Sequence, residues 1–499
     1  MLRKNVLKFM KQNYQVILIL LVYFMISVYA QHEIYHSINS HRDTGIYLDV
    51  MHKSLEGNFF FTIETAMSYL GDHFEFALIF LLPFYFIFKS PMVIFVAQTI
   101  LFTIGGILVY IYSKETIKTK IMNYVFLITY LLSPIVLTTN LRDFHAVAIA
   151  VPLVLGILYT IKKENWKWYY FLTILLMLVK ENMTLIAMVI GVYLFFKKKR
   201  KHAVNTLIIG VVSFIIIVNI LIPAFNTGEY FGEENTYLYF ERNYGYLGSS
   251  ASEAVKTLIT QPVYALTYLP FEEKITYVFN ALRFNHFLPL LNPLTLLAAP
   301  TIGQNVLNTF VISTECFTYH TNSMIIPFFI ISSILGFAFL ERKIKYRWLL
   351  RIIILIILVN VIINSITAIY PFFTEEVGTQ KPNMFIQNPE CYKNHFQKND
   401  FHVQLTKEEL KEFYSIIDNI QPRESIKGTF YIYPIVYTKQ YLPLRLKSDT
   451  WNSDYIIVDL KDKEFLLGIE MSVFKFKEIL LEKGYTIIWE KKNLIVLKR

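Results

Sequence analysis

Cysteine is nearly absent from this chain of 499 residues, in which Cys316 and Cys391 are the only two. Two cysteines exclude a framework of disulfides and a cysteine-based zinc motif. They can pair with each other only if both face an oxidising compartment, and we do not predict that bond. Glycine-rich phosphate loops, dinucleotide fingerprints and internal repeats are also missing. Their absence excludes the nucleotide-binding and repeat classes that carry those signatures.

Charged residues are scarce as well. They make up 17% of the chain, against 54% hydrophobic residues, whereas a soluble domain contains about 25% charged residues. Several apolar runs reach the roughly 20 residues needed to cross a bilayer. The net charge of +10 lies in short basic clusters between these runs, which is the pattern of orientation signals rather than of nucleic-acid binding. The composition therefore predicts a polytopic membrane protein that binds no nucleic acid.

The basic clusters predict which side of the membrane each connection faces. The N-terminal flank is basic, so the N-terminus is predicted to be cytoplasmic. Val28-Tyr29-Ala30 is similar to a signal-peptidase site, and cleavage there is the alternative. The apolar run is long and further spans follow, so we expect an uncleaved first helix. The rule then predicts spans at residues 14–30, 91–113, 121–138, 146–161, 168–179, 183–196, 203–222, 324–340 and 349–370.

Two apolar segments are ambiguous. If Phe74–Phe88 crossed the membrane, the basic loop around Lys118 would lie outside and every later loop would invert. We therefore predict that Phe74–Phe88 lies along the outer interface as a juxtamembrane helix. Residues 288–299 are short and interrupted by proline, which favours a re-entrant or interfacial segment. The module is predicted to contain about nine to eleven transmembrane helices, with outer loops at 31–90 and 226–287.

The composition changes at Pro371, after which charged residues become frequent. Alternating apolar patterns predict strands at 428–433, 455–460, 485–490 and 494–498, and helical patterns lie at 407–419 and 472–483. Lys491-Lys492-Asn493 is typical of a hairpin turn between the last two strands. We therefore predict an α-helical transmembrane module at 1–370, followed by a small extracytoplasmic α/β domain at 371–499.

Five short polar clusters fall on the outer face in this topology. For any single cluster the simpler interpretation is a solvated charge at the end of a span. The inner connections contain almost only Lys and Arg, however, whereas the outer ones combine acids, bases and histidines. We therefore expect one shared site to be formed by Arg42-Asp43, Asp72-His73, Arg142-Asp143-Phe144-His145, Lys180-Glu181-Asn182 and Tyr319-His320.

The acids, bases and histidines of such a site suggest a general base, ligands for a cation and groups that bind the substrate. A carboxylate within reach of an acceptor hydroxyl can act as a general base, and Asp43 or Asp49 is placed to do so. Asp72 and His145 offer oxygen and imidazole ligands for a divalent cation such as Mg²⁺ or Mn²⁺. The alternative is that these clusters orient a phosphate. Candidate substrate-binding residues are Arg42, His73, Arg142, Lys180, Glu181 and His320, although Lys180 and Glu181 could instead form an ion pair at a helix end.

The same clusters resemble an uncharacterised prokaryotic family of predicted membrane proteins. By architecture that family is similar to the GT-C superfamily of integral-membrane glycosyltransferases. The likeness covers most of the chain. It depends on Arg42-Asp43-Thr44-Gly45-Ile46, Gly71-Asp72-His73-Phe74, Arg142-Asp143-Phe144-His145, Val179-Lys180-Glu181, Tyr319-His320 and the run from Ser453 to Asp459.

The resemblance implies a GT-C-like fold in a prokaryotic cell membrane, with the active site at the outer face. It implies a catalytic acid in the first outer loop, where Asp43 lies, and a second acid at the position of Asp143. It also implies a polyprenyl-phosphate sugar donor. The second loop here reads Asp-Phe-His rather than a pair of acids, which leaves the metal dependence open.

Three functions remain to be separated. The first is transfer of a sugar from the lipid donor to a glycan, lipid or protein acceptor outside the cytoplasm, with Asp43 as the base. The second is a transporter or lipid flippase, but such proteins carry inverted repeats and midplane charges, which we do not find here. The third is a non-catalytic scaffold or sensor that acts through the C-terminal domain.

Overall fold

The computed structural model describes residues 2–38, 40, 42–226, 243–249, 251–268, 271–309, 320–369, 405–421, 423–429, 432–443, 452–460 and 473–499. The predicted domain boundary at 371, both cysteines, His41 and Tyr319 lie outside the described residues.

Helices form most of the first 369 residues. They are α1 (Leu2–His36), α2 (Arg42–Leu55), α3 (Leu82–Phe88), α4 (Met92–Lys114), α5 (Lys120–Leu131), α6 (Pro134–Arg142), α7 (Val147–Lys162), α8 (Trp166–Met177), α9 (Met183–Phe196), α10 (Arg200–Ile216), α11 (Ile222–Phe225), α12 (Ala251–Thr260), α13 (Pro262–Thr267), α14 (Phe271–Phe284), α15 (Ala299–Leu307), α16 (Ile325–Lys343) and α17 (Arg347–Ile369).

Five helical segments in the described part of the chain are long and apolar enough to cross a membrane. They are Asn13–His36, Met92–Lys114, Arg200–Phe225, Ile325–Lys343 and Arg347–Asn364. A sixth arises if α5 and α6, which meet at an angle of 45°, form one broken span. The protein is therefore a multi-pass membrane protein. The higher count of nine to eleven spans stays a prediction.

The difference in count comes from short helices. The 16 residues of α7 and the 14 of α9 correspond to about 24 and 21 Å at 1.5 Å per residue. A hydrocarbon core is about 30 Å thick. Charge clusters predict where the chain reverses, but they do not predict how much of each apolar run is helical.

The two ambiguous segments do not form spanning helices. Residues 74–88 break into a 3₁₀ turn at Phe76–Phe80 and the seven-residue α3, whose outward-facing Phe84, Phe86 and Phe88 are exposed. Residues 288–299 form two successive 3₁₀ turns, Leu288–Leu291 and Pro293–Ala298, which pack against α16. Proline near the start of each turn limits regular helix in this region.

A small α/β unit follows the helices. Two short antiparallel strands, β1 (Phe61–Thr62) and β2 (Met67–Ser68), lie in the first loop. The strands of the α/β unit are β3 (Ser425–Gly428), β4 (Gln440–Pro443), β5 (Tyr455–Asp459), β6 (Thr486–Lys491) and β7 (Leu494–Lys498), and its helices are α18 (Lys407–Asn419), α19 (Tyr433–Val436) and α20 (Val473–Glu482). The sheet order is β4-β3-β5-β7-β6. β3 pairs in parallel with β4 and β5, and β7 pairs antiparallel with β5 and β6. The hairpin predicted at residues 491–493 joins β6 and β7.

One predicted strand is wrong. We expected a strand at residues 428–433, but β3 ends at Gly428 and Tyr433 begins the short α19. Pro434 stands in the first turn of that helix, where its fixed φ favours helix over strand. Tyr433 is therefore presented at the end of a sheet rather than within it.

The C-terminal unit shares a hydrophobic core with the first loop. One cluster of buried residues joins helices of the transmembrane module, including α4, α7, α9 and α16. A second cluster joins Leu48 of α2 and Leu78 of the first loop to Phe413, Tyr433 and Trp489 of the C-terminal unit. The C-terminal unit is thus packed on α2, the helix that carries Asp43.

Candidate active site

Helix α2 places two charged residues at its start. Asp43 is half-buried in the first turn, where the helix dipole favours a carboxylate. Arg42 forms an ion pair with the buried carboxylate of Glu64. One turn further along α2, burial and the carboxylates of Glu75 and Asp43 raise the pKa of Tyr47 well above its ordinary value. Asp43 therefore acts electrostatically on the Tyr47 hydroxyl.

Tyr47 begins a hydrogen-bonded chain that joins three separate segments. Its hydroxyl donates to Oε2 of Glu75 at 2.9 Å, and Lys180 Nζ donates to Oε1 of the same carboxylate at 2.9 Å. The Glu75 residue is 1% exposed. α2, the end of the first loop and the α8–α9 connection thus meet at one buried carboxylate.

The charge on Lys180 is maintained by two acids. Burial alone lowers the pKa of a lysine, but the carboxylates of Glu75 and Glu181 outweigh it and raise the pKa of Lys180 well above its ordinary value. The ammonium group is therefore a fixed cation at the edge of the site. The interpretation of Lys180-Glu181 as an isolated ion pair is wrong, because the nearest carboxylate to Lys180 comes from Glu75.

His73 and Glu181 form a second pair beside the first. His73 Nδ1 lies 3.2 Å from Oε1 of Glu181, and Oε2 accepts a 3.1 Å hydrogen bond from the Phe74 N–H. Burial raises the pKa of Glu181, but His73 and Lys180 outweigh it and lower that pKa to about 2. Burial and Lys180 lower the pKa of His73, but Asp72 and Glu181 raise it by a larger amount, so the pKa of His73 lies above its ordinary value. The pair favours an imidazolium beside a carboxylate.

The Asp-Phe-His segment lies against the same tyrosine. The ring of Phe144 packs edge-on against Tyr47 with the centroids 5.0 Å apart, and the His145 ring lies 6.3 Å from Tyr47. The His145 ring also stacks on His320, with 3.6 Å between centroids and 19° between planes. Asp143 is buried at the end of α6, with 1% exposure. Polar residues from four stretches of sequence thus surround Tyr47.

Asp49 has a different environment from Asp43, although the sequence offers both as a base. Its Oδ2 accepts hydrogen bonds from the Ile63 N–H at 2.7 Å and from the Tyr433 hydroxyl at 2.8 Å. Burial raises the pKa of Asp49 to about 6. Asp49 therefore links α2 to the first loop and to the C-terminal unit, which leaves Asp43 as the accessible carboxylate of this helix.

The predicted cation ligands contact different partners. Asp72 acts on His73 and Tyr69, whereas His145 stacks on His320. Within the described residues no group of three or more His, Cys, Asp or Glu side chains could hold a metal ion. The divalent cation thus stays a prediction. The side chain of Arg142 lies outside the described part of the structure.

Three residues of this site are missing from the sequence prediction. Glu75 and Glu64 are buried acids, and Tyr47 connects the clusters. Glu75 is the one acid in the apolar stretch from Phe74 to Phe88. Since an ionised carboxylate is costly to bury without a partner, its position after Asp72-His73 was a usable signal. Nothing in the local sequence indicates that Tyr47 would be its partner.

Solved structures share this fold. ArnT from Cupriavidus metallidurans bound to undecaprenyl phosphate superposes with a TM-score of 0.52 at 9% identity, covering 98% of each chain. ArnT from the same organism in the apo state gives a TM-score of 0.50 at 10% identity, covering 98% of this chain and 97% of that one. Identities this low show a shared fold alone.

Sequence comparisons assign the family. A search of curated proteins finds no match. The model of the predicted membrane proteins called DUF2079 matches residues 37–496, which includes α2, every cluster around Tyr47 and the C-terminal sheet. This chain therefore belongs to the DUF2079 family of predicted membrane proteins, and its fold is similar to that of ArnT.

Proposed function

We propose that this protein transfers a sugar from a polyprenyl-phosphate donor to an acceptor on the extracytoplasmic side of a prokaryotic cell membrane. The observation that carries the proposal is the convergence of acids, imidazoles and a lysine from four segments around Tyr47. The ArnT-like fold over nearly the whole chain supports it, as does the undecaprenyl phosphate bound to that ArnT. The N-terminus would be cytoplasmic and the C-terminal unit extracytoplasmic.

Asp43 is the proposed general base. Its carboxylate takes the proton of the acceptor hydroxyl, whose oxygen then attacks the anomeric carbon of the donor sugar. The bond between that carbon and the phosphate oxygen breaks, and the polyprenyl phosphate leaves with the electron pair. A single displacement of this kind inverts the anomeric centre. Asp143 is proposed as the second acid, which orients the acceptor.

The leaving phosphate gains negative charge as the bond breaks. Positioned cations and N–H donors stabilise such charge most effectively in a site that excludes water. Lys180 supplies a cation that two carboxylates maintain, and the His73 imidazolium is held by Glu181. We assign phosphate binding to these two, together with Arg42, Arg142, His145 and His320. Glu181 contributes by positioning His73.

The proposal is tested by an Asp43→Asn variant. Purified protein in lipid vesicles is given a panel of radiolabelled undecaprenyl-phosphate sugars, and label released from the lipid is measured. We expect transfer to fall by about 10²- to 10⁴-fold, the usual contribution of a general base. Glu56→Gln changes an exposed carboxylate just beyond the other end of α2 and serves as the control. Undiminished transfer by Asp43→Asn would remove Asp43 from this role.

The rival flippase function gives a different result in the same vesicles. A flippase moves fluorescent undecaprenyl phosphate between leaflets without releasing any sugar. Movement of the lipid by the wild type, with no transfer from any donor, would replace the proposed function. A scaffold would show neither activity, and its function would survive loss of the transmembrane module.

A further inference from the structure

Gln98 is buried in α4 and faces a break in the helical backbone. α6 ends at Arg142 and α7 begins at Val147, so residues 143–146 lie outside both helices, and the carbonyl groups of His145 and Ala146 accept hydrogen bonds from the first turn of α7. Non-helical backbone at membrane depth is tolerated only where protein groups satisfy its N–H and C=O groups. Gln98 is 0% exposed, and its side chain is directed at this break.

Both ends of the Gln98 amide are bonded to the break or to the last turn before it. Nε2 donates to the carbonyl oxygens of Thr139 at 2.9 Å, Asn140 at 3.2 Å and Asp143 at 2.8 Å. Oε1 accepts from the His145 N–H at 3.0 Å. The amide has two hydrogens for three acceptors, so one hydrogen is shared. A carboxylate at this position could accept hydrogen bonds but could not donate them, and a hydrocarbon side chain could neither donate nor accept them.

These bonds determine where two proposed site residues lie. The Asp143 carbonyl and the His145 N–H are held by one rigid side chain from a neighbouring helix. The intervening Phe144 ring is thereby set against Tyr47, and the His145 ring is set on His320. We infer that Gln98 is a positioning residue that holds Asp143 and His145 in the geometry needed for sugar transfer, without touching the substrate. This inference rests on the proposed function.

Thr99 offers a matched comparison on the same helix. It is also fully buried, and its Oγ1 donates to Gln31 Oε1 at 3.0 Å and to Asn140 Oδ1 at 3.1 Å. Both contacts join α4 to α1 and α6, and neither reaches residues 143–146. Thr99→Val therefore weakens the polar packing of α4 without releasing the break.

The test compares Gln98→Met, Gln98→Asn and Thr99→Val in vesicles with the undecaprenyl-phosphate sugar that the wild type uses. Gln98→Met keeps the length and removes both hydrogen-bonding groups. Gln98→Asn keeps the amide and shortens its reach, so it serves if the first variant fails to fold. We expect kcat to fall about 100-fold in Gln98→Met and less in Gln98→Asn, and KM for the lipid to rise as well, because His145 is assigned to phosphate binding. Thr99→Val should retain nearly wild-type kcat.

Two results overturn the inference. One is an equal loss of kcat in Thr99→Val and Gln98→Met, which would indicate general packing. The other is full activity in Gln98→Asn. If the wild type transfers no sugar from any donor, the proposed function fails, and NMR of labelled histidines then decides the inference. The His145 signal, assigned with His145→Gln, should move in Gln98→Asn and stay in place in Thr99→Val; an unmoved signal in Gln98→Asn overturns the positioning role.

Discussion

Tyr433 donates a 2.8 Å hydrogen bond from its hydroxyl to Oδ2 of Asp49, a residue 384 positions earlier in the chain. The next residue, Pro434, accepts a 2.8 Å hydrogen bond at its carbonyl from the Tyr35 hydroxyl of α1. Tyr437 accepts one at 3.0 Å from the Tyr85 hydroxyl of α3. The short helix α19, with Tyr437 just after it, therefore joins the C-terminal unit to α1, α2 and α3, and α2 is the helix that carries Asp43.

Gly45 allows this close packing. A Cβ at Gly45 would lie 2.7 Å from Cγ of Tyr433 and 3.0 Å from the Pro434 nitrogen, so Gly45→Ala should force α19 away from α2. We expect thermal unfolding in detergent to show a loss of about 1–3 kcal/mol, and limited proteolysis to release the C-terminal unit faster. Gly303→Ala is the control, because nothing lies within 4 Å of that Cβ. Equal stability of the two variants would contradict the prediction.

The Asp49 carboxyl should make stability depend on pH. Burial raises its pKa from an unfolded value of 3.8 to about 6, so the folded protein binds this proton more tightly than the unfolded chain. The resulting stabilisation of the folded protein is present below pH 4 and is lost as the pH rises through 6. It amounts to about 3 kcal/mol at about 1.4 kcal/mol per pKa unit.

The measurement is thermal unfolding between pH 4 and pH 8 for the wild type and Asp49→Asn. In the wild type the free energy of unfolding should decline between about pH 4 and pH 6, and Asp49→Asn should lack this decline. Glu56→Gln, at an exposed carboxylate, should keep it. Parallel curves for the wild type and Asp49→Asn would contradict the assigned burial.

Variants of Glu75 and Lys180 should affect the stability of the protein and its sugar transfer differently. Glu75→Gln leaves the partly buried Lys180 cation, whose side chain is 25% exposed, without its closest carboxylate, which should cost about 2–3 kcal/mol, less than in a fully buried pair. The double variant Glu75→Leu with Lys180→Met removes both charges and should recover much of that stability, because packed apolar groups can replace a buried ion pair. Sugar transfer should stay low in the double variant, since the proposed phosphate cation is gone.

A surface pair provides the comparison for this prediction. Lys199 and Glu164 lie 2.7 Å apart with 38% and 60% exposed side chains, so Glu164→Gln should cost less than about 1 kcal/mol. Restored transfer in the double variant would show that Lys180 has only a structural role.

Removal of the Glu181 carboxylate should lower the pKa of His73. Glu181 and Asp72 raise that pKa, whereas burial and Lys180 lower it, so Glu181→Gln shifts the balance downward. The raised pKa stabilises the fold below pH 6.5, and this contribution is lost as the pH rises through the folded value. NMR titration of His73, assigned with His73→Asn, checks the change. An unchanged titration midpoint would mean that Glu181 does not hold the imidazolium.

Local signals predicted several elements well. The helix expected at 407–419 is α18, Lys407–Asn419, and it begins with a capping box between Thr406 and Glu409, a signature that can be read directly from sequence. The hairpin of β6 and β7 was also predicted, because its turn residues and alternation are local.

Relations between distant residues were not predictable in the same way. His145 and His320 stack although 175 positions separate them, and no local pattern indicates which imidazole meets which. The polar clusters predicted a shared region, but the partners within it, Tyr47 with Glu75 and Glu75 with Lys180, depend on the packing of four helical segments. The roles of Asp43 and Asp143 stay predictions. Broken helices such as α5 and α6 also depend on tertiary partners, for example Gln98 at the following turn.

The hydrogen bond between Asp49 and Tyr433 also sets an order of events during synthesis. A ribosome that adds about 5–20 residues per second needs roughly 20–80 s to make the 384 residues between the two partners. During that interval α2 has been made without α19, so Asp49 lacks its hydrogen bond from Tyr433. A polypeptide released early would therefore leave this helix unanchored, and maturation of the site waits for the end of translation.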